Sequence, residues 1–177
     1  GFDYCYDKRL YDRLEHDNAE AVRSHLCAEL SYQEKLIRFV ENHDEQRAAE
    51  SFPAAKSPAA ALVALTQCGA KLVHEGQVDG RRVRVPVFLA RRPDESPDEP
   101  LRDFYRKLLR ATAEDAFRDA EWRLCGRTGW PDNPTVRNVV AWCWRKHDKR
   151  YLVAVNLSAS PAQAEIQVPC FQCKPNR

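Results

Sequence analysis

The amino-acid sequence predicts an α/β region followed by an all-β region. Over residues 1–112, short apolar runs of strand length alternate with segments whose apolar residues recur at helical spacing. After residue 112, apolar residues recur at every second position without intervening helices, which is typical of an antiparallel sheet. With 44% hydrophobic and 31% charged residues, the chain of 177 residues has the composition of a globular protein. We therefore expect two domains, one over residues 1–112 and one over residues 113–177.

Strands and helices alternate in the first region in the order that a parallel sheet requires. The expected elements are, in order, a strand over residues 1–6, a helix capped by Asp7, a helix from Asn18 to Leu30, a buried strand over residues 36–40, a helix capped by Ser57, a strand over residues 71–74 and a helix that begins at Pro100. The oxygens of Asp7, Asn18 and Ser57 suit the cap position because they accept a hydrogen bond from the first helical turn. Pro58 and Gly69 mark the start and end of the third helix.

Alternation with period two defines the second region. The three patterns are Val140 with Trp142 and Trp144, Tyr151 with Val153 and Val155, and Ala164 with Ile166 and Val168. Each pattern places its apolar residues on one face of a strand. We expect Trp142 and Trp144 to pack in the core, since they alternate with other core positions.

The charge balance and the hydropathy pattern exclude two classes of partner. Twenty-eight Lys and Arg against 26 Asp and Glu leave a net charge of +2, too small for bulk electrostatic binding of nucleic acid or lipid. The longest apolar runs, around residues 59–65 and 139–144, are far shorter than the ~20 residues of a membrane-spanning helix. The sequence thus predicts no nucleic-acid partner and no membrane insertion.

Residue counts bear on processing and compartment. The chain contains no methionine, so we expect it to be processed, trimmed or a fragment of a longer protein. It has seven cysteines, an odd number, and most of them lie singly among apolar neighbours, which favours reduced thiols. We therefore expect a reducing, cytoplasmic location.

A polar cluster, Glu41-Asn42-His43-Asp44, follows the strand over residues 36–40. In α/β proteins, ligand sites form at the carboxyl ends of strands. A carboxylate beside an imidazole can hold sugar hydroxyls, bind a metal or take part in a proton relay. The same residues also suit a helix cap or a turn with a hydrogen-bonded histidine, so the pattern alone leaves both interpretations open.

The stretch Phe39-Val40-Glu41-Asn42-His43-Asp44 resembles the His-Asp motif after the seventh barrel strand of alpha-amylase family glycoside hydrolases. Residues 1–8 are similar to the sixth-strand region of that family, and residues 69–77 to its eighth strand and loop. The strands after about residue 113 are similar to the β domain that follows the barrel. The resemblance, which covers essentially the whole chain, implies the C-terminal part of a (β/α)8 TIM barrel plus a small antiparallel β-sandwich domain.

The resemblance implies roles for two residues of the polar cluster. Asp44 would be the carboxylate that grips the sugar at the cleaved bond and stabilises the oxocarbenium-like transition state, and His43 would hydrogen-bond the same sugar. We also expect Glu41, Asn42 and His74 to bind the substrate. The nucleophilic Asp and the general-acid Glu of the family lie on earlier strands, so the implied partner is a missing N-terminal part of the same barrel. The implied substrate is an α-glucan or maltooligosaccharide, cleaved or transferred with retention.

Other interpretations stay open on the sequence alone. The framework also suits a non-catalytic carbohydrate-binding or scaffold protein. Arginines at positions 81, 82, 84, 91 and 92 suit a phosphorylated or carboxylated sugar, but nearby acidic residues favour a solvated loop. Trp130, in a turn, could stack on a sugar. Cys170 and Cys173 have zinc-ligand spacing but lack a second pair, so we expect no metal and no cofactor.

Overall fold

The computed structural model describes residues 1–86, 88 and 91–170. The helices are α1 (Lys8–His16), α2 (Ala19–Leu26), α3 (Leu30–Gln33), α4 (Ala48–Ser51), α5 (Lys56–Thr66) and α6 (Glu99–Thr112). The strands are β1 (Cys5–Tyr6), β2 (Leu36–Arg38), β3 (Ala70–Lys71), β4 (Glu121–Leu124), β5 (Gly126–Thr128), β6 (Val139–Lys146), β7 (Lys149–Asn156) and β8 (Glu165–Gln167). Two short 3-10 helices, Asp115–Phe117 and Pro134–Asn138, lie in the second region.

The first three strands form a parallel sheet with β2 in the middle. Tyr6 pairs with Ile37, and Ile37 pairs with Ala70 on its other side. The α/β order predicted for this region is confirmed, since helices connect the parallel strands. Because the strands are parallel, the residues that follow β1, β2 and β3 all lie at one edge of the sheet.

The remaining strands pair in antiparallel fashion, as predicted. Strands β4, β6 and β7 form one sheet in that order, and β5 pairs with β8 in a second sheet. Strand β6 is the centre of the larger sheet, and its first six residues are all buried. Trp142 and Trp144 are 0% and 1% exposed, so their predicted place in the core is confirmed.

Local capping signals were correct at the first two helices. Asp7 accepts a hydrogen bond from Leu10 N at 3.1 Å, and Asn18 accepts one from Ala21 N at 3.1 Å. The second helix is shorter than predicted, because α2 ends at Leu26 and Leu30 begins the separate helix α3.

The predicted starts of the two longer helices were wrong by one or two residues. Pro53 O accepts hydrogen bonds from both Lys56 N and Ser57 N, so α5 begins one residue before Ser57, which is not its cap. Asp98 caps α6 by accepting from Leu101 N at 3.0 Å, which places Pro100 inside the first turn.

The strand predicted over residues 71–74 lies earlier, at Ala70–Lys71. Gly69 explains how the chain reaches that position. Its φ is +88°, and a Cβ there would lie 2.4 Å from Leu36 O. Only glycine therefore lets this turn approach β2 closely enough for β3 to pair with it.

One hydrophobic core extends across residue 112. It contains residues of α1, α2 and α5 together with Trp122, Val140, Trp142, Trp144 and Val155 from the antiparallel strands. The indole N–H groups of Trp142 and Trp144 both donate to Thr66 O, at 3.2 and 2.8 Å. Strand β6 is thus attached to the end of α5, while the division into two domains at residue 112 stays a prediction.

Candidate functional site

The candidate site lies at the carboxyl edge of the parallel sheet. Residues 41–47 follow β2, and residues 72–77 follow β3. The backbone extends both strands toward this edge, because Leu72 N donates to Arg38 O at 2.8 Å. The polar residues that follow the two strands are therefore brought together, although they are about 30 positions apart in sequence.

His43 and Asp44 form the exposed part of the site. His43 Nε2 lies 3.3 Å from Asp44 Oδ2, and the two side chains are 58% and 70% exposed. The side-chain oxygen of Asn42 accepts hydrogen bonds from Asp44 N at 2.8 Å and from Glu45 N at 3.0 Å. This turn fixes the backbone from which Asp44 projects, so both an imidazole and a carboxylate are available to a ligand at this edge.

At the same end of the strands, buried Glu41 and Arg47 form a group with the partly exposed His74. Glu41 is fully buried, and its Oε1 lies 3.0 Å from Arg47 Nη1. Its Oε2 accepts a hydrogen bond from Ala48 N at 2.6 Å, which anchors the start of α4. Burial raises the pKa of Glu41, and the Ala48 N–H, Arg47 and His74 oppose that rise without cancelling it.

Arg47 joins the two loops of the site. Its Nη1 lies 2.7 Å from His74 Nδ1, and its Nη2 donates to Glu75 O at 2.7 Å. His74 Nδ1 also lies 3.3 Å from Glu41 Oε1, so the imidazole stands between the guanidinium and the buried carboxylate.

Gly76 makes room for the arginine. Its φ is +79°, and a Cβ at this position would lie 2.4 Å from Arg47 Nη2. The guanidinium thus occupies space that any other residue at position 76 would fill. Arg47 was missed by the sequence analysis, since nothing in a polar stretch distinguishes one buried arginine from solvated ones.

The residues predicted for the site are therefore at two depths. His43 and Asp44 are at the surface, and the side chain of His74 is 29% exposed. Glu41 and Asn42 are buried, at 0% and 4% exposure, with side-chain oxygens that bond within the protein. Contact with a substrate stays a prediction for all five.

The arginine-rich loop lies beside the site and is largely paired. Arg82 forms an ion pair with Glu50 at 3.2 Å, and Arg92 pairs with Glu75. Arg84 Nη2 lies 3.4 Å from His43 O, which brings one arginine of the loop against the exposed pair.

The structure also bears on the predictions about a metal site, a membrane span and Trp130. In the part of the chain that the structure describes, no group of three or more His, Cys, Asp and Glu residues could hold a metal ion. Cys170 is an exposed free thiol, and Cys173 lies outside the described residues. No helix in the described ranges is long and apolar enough to cross a membrane. Trp130 is 54% exposed in its turn, on the antiparallel side of the molecule.

Comparison with solved structures shows a likeness of fold to two alpha-amylases and a cyclomaltodextrinase. A noncanonic maltogenic alpha-amylase, AmyB, from Thermotoga neapolitana matches with a TM-score of 0.68 and 23% identity over 88% of this chain. A cyclomaltodextrinase matches with a TM-score of 0.65 and 20% identity over 84% of the chain. An alpha-amylase from Lactobacillus plantarum matches with a TM-score of 0.60 and 18% identity over 88% of the chain. No family model and no curated protein matches the sequence.

These matches are similarities of fold over part of a larger protein. The chain spans 38%, 27% and 38% of the lengths of the three solved chains. The resemblance to alpha-amylase family enzymes is thus confirmed as a likeness of fold.

Proposed function

We propose that this chain is the C-terminal part of an alpha-amylase-like enzyme that hydrolyses or transfers α-glucosidic bonds with retention. In this proposal residues 1–112 complete a (β/α)8 barrel, and residues 113–177 form the β-sandwich domain that follows it. The observation that carries the proposal is the exposed His43–Asp44 pair at the carboxyl edge of a parallel sheet, 3.3 Å apart and supported by buried charges. Barrel enzymes place their active sites at this edge.

Asp44 would act on the sugar ring at the cleaved bond. An ionised carboxylate accepts hydrogen bonds from sugar hydroxyls, and these bonds strengthen as positive charge develops on the ring. His43 would donate to the same ring through its imidazole N–H. Both groups would stabilise charge that other residues generate, since a two-carboxylate mechanism also needs a nucleophile and a general acid.

We further propose that Glu41, Asn42, Arg47 and His74 position the pair. Asn42 holds the backbone of Asp44 through a 2.8 Å hydrogen bond, and Arg47 connects Glu41 to His74. These residues would keep the loops after β2 and β3 in register, and His74, which is partly exposed, would also line the sugar site. The buried side chain of Glu41 supports a positioning role over direct contact with substrate.

The outer strands of the parallel sheet support a larger barrel. Strands β1 and β3 each pair only with β2 among the described residues. Tyr4 and Tyr6, just before and within β1, are 53% and 43% exposed. Parallel strands normally have neighbours on both sides and helices on both faces. We propose that an N-terminal part of the same barrel pairs with these edges and supplies the nucleophile and the general acid.

A second candidate function is a non-catalytic carbohydrate-binding protein of the same fold. It would use the same His43–Asp44 pair and would lack an Asp and a Glu at the ends of two preceding barrel strands. The cytoplasmic location stays a prediction under both candidates.

Saturation-transfer NMR with maltotriose tests the sugar site on the chain itself. We expect transfer to maltotriose with the unaltered chain, a clear loss with Asp44→Asn and His43→Ala, and no change with the control Asp94→Asn in the long loop. We also expect no hydrolysis of a chromogenic α-glucoside above a buffer blank. Equal transfer in Asp44→Asn and Asp94→Asn would overturn the assignment of the site.

A further inference from the structure

A cavity lies at the opposite end of the parallel sheet from the candidate site, where the strands begin. Its volume is about 420 Å³, within the range of small-molecule sites. Tyr4, Glu34 and Gly69, which precede β1, β2 and β3, lie on one side of it. Trp122 and Trp144 of the antiparallel sheet lie on the other side. The cavity is therefore formed where the two regions of the chain meet.

Two cations line this cavity without a carboxylate partner in the described part of the chain. Lys71 Nζ donates only to a backbone oxygen, Phe117 O, at 3.2 Å, and lies 6.0 Å from the centre of the Trp144 ring. Arg118 also lines the cavity and is exposed. Burial lowers the pKa of Lys71, and the charges of Arg38 and Arg118 lower it further. The positive charges here thus repel one another.

Trp122 and Trp144 contribute aromatic surface to the cavity and no accessible hydrogen-bond donor. The Trp144 N–H donates to Thr66 O, and the Trp122 N–H is buried out of contact with solvent. Cys68 contributes a thiol whose pKa is raised by burial, so it adds no negative charge at neutral pH.

Acceptors are scarce in the same lining. Glu34 is the one carboxylate among the described residues that line the cavity, and it is exposed at the rim without an ion pair to Lys71 or Arg118. Tyr4 and Leu30, which are 53% and 38% exposed, provide apolar surface at the mouth. The cavity therefore combines two cationic side chains with an apolar entrance.

We propose that this cavity binds an oxyanion, specifically the phosphate group of a small organic phosphate monoester. The phosphate would accept from Lys71 and Arg118, and the organic part would lie against Tyr4 and Leu30. Charge-assisted hydrogen bonds to phosphate are the strong ones in proteins, and arginine matches phosphate geometry well. The proposal does not depend on the function proposed for His43 and Asp44, which lie at the other end of the strands.

Isothermal titration calorimetry of the chain with inorganic phosphate, glucose 6-phosphate and glucose, at constant ionic strength, tests the proposal. We expect glucose 6-phosphate to bind more tightly than phosphate. Any binding of glucose should be the same for the unaltered chain and for Lys71→Gln. Phosphate binding as tight as that of glucose 6-phosphate would show that the apolar entrance has no role and would overturn the monoester assignment.

Variants distinguish binding in this cavity from binding that depends only on the general surface charge. Lys71→Gln should raise the Kd for glucose 6-phosphate at least about tenfold, because it removes one charge-assisted contact. Lys56→Gln is the matched control, because this half-buried lysine also donates only to backbone oxygens, those of Glu15 and Asp17, away from the cavity.

Arg118→Gln tests the same cavity if Lys71→Gln fails to fold, since Arg118 is exposed and its substitution should not disturb folding. It should raise the Kd at least about tenfold, and the melting temperature should match that of the unaltered chain. Absence of binding at millimolar glucose 6-phosphate, or the same Kd in Arg118→Gln, Lys56→Gln and the unaltered chain, would overturn the proposal.

Discussion

The two sides of residue 112 are stabilised by different kinds of contact. Among the described residues, the buried polar and charged residues lie between Asp7 and Gln77, and the buried residues after residue 112 are apolar or are thiols. The side chain of Arg127, at 8% exposure and paired with Glu20, is an exception in the antiparallel region. The parallel region has strands of only two or three residues, whereas β6 and β7 have eight each. The parallel region is thus held in part by paired charges, and the antiparallel region by continuous strand pairing and aromatic packing.

This difference indicates what each region contributes. A buried ion pair adds little net stability, but it is costly to break and it limits the arrangements that the surrounding chain can adopt. The parallel region uses two such groups, Asp7 with His25 and Arg38, and Glu41 with Arg47. The second of these groups lies at the same end of the strands as the His43–Asp44 pair. The antiparallel sheet instead supplies a rigid apolar surface against which α5 packs.

The largest expected effect is that of Asp7→Asn on stability. The introduced asparagine would still cap α1, but Arg38, which is 0% exposed, would lose its carboxylate partner. We expect the free energy of unfolding at pH 7 to fall by about 3–5 kcal/mol. Urea denaturation measures the change. Asp12→Asn, which removes an exposed partner of Lys8, is the control and should change stability by less than ~0.5 kcal/mol; equal losses in both variants would contradict the comparison.

Trp142→Phe should have a smaller effect on the antiparallel side. It removes the 3.2 Å hydrogen bond to Thr66 O and leaves a smaller ring in a fully buried position. We expect a loss of about 1–3 kcal/mol, with one unfolding transition, because the core is continuous across residue 112. Circular dichroism and tryptophan fluorescence should report the same midpoint. Trp130→Phe, at an exposed position, should be nearly neutral; two separate transitions would show that the regions fold independently.

The smallest expected effect is a dependence on pH that is confined to the parallel region. Burial raises the pKa of Asp7, but the hydrogen bond with His25 and the charge of Arg38 bring it below its ordinary value of 3.8. The stabilisation by ionised Asp7 is therefore complete above pH 3.8 and is lost as the pH falls below that value. The stability difference between the unaltered chain and Asp7→Asn should shrink below pH 3.8, while the difference for Trp142→Phe should stay constant. A difference for Asp7→Asn that is independent of pH down to about pH 2 would contradict this assignment.

What the sequence predicted correctly was mostly local. The caps Asp7 and Asn18 were found because a cap depends on three neighbouring residues, and Trp142 and Trp144 were placed in the core by their alternation. The start of α5 was misplaced, because Pro53 begins its first turn through its carbonyl oxygen. The chain order of the parallel region was also predictable, since strand and helix periodicities differ.

The buried residues that position the candidate site were not predictable, because their contacts join segments that are distant in sequence. Arg47 lies 27 positions from its contact His74, and its place is made by the absence of a side chain at Gly76. Glu41 was expected at the sugar, and the structure places it in the interior beside Arg47. No periodicity in the sequence distinguishes a buried carboxylate with an arginine partner from one that faces a ligand.

In the complete barrel enzyme that we propose, Asp44 stabilises the transition state. Steady-state kinetics of Asp44→Asn on maltooligosaccharides tests this most directly, with the melting temperature as a check on folding. We expect kcat to fall at least ~10²-fold, about 2.7 kcal/mol, with little change in KM, because the lost charge acts mainly in the transition state. His43→Ala should cost less, since a neutral donor forms weaker hydrogen bonds than a charged group. An Asp44→Asn enzyme with near-normal kcat would show instead that Asn42, His43 and Asp44 form only a structural turn at the end of the strand.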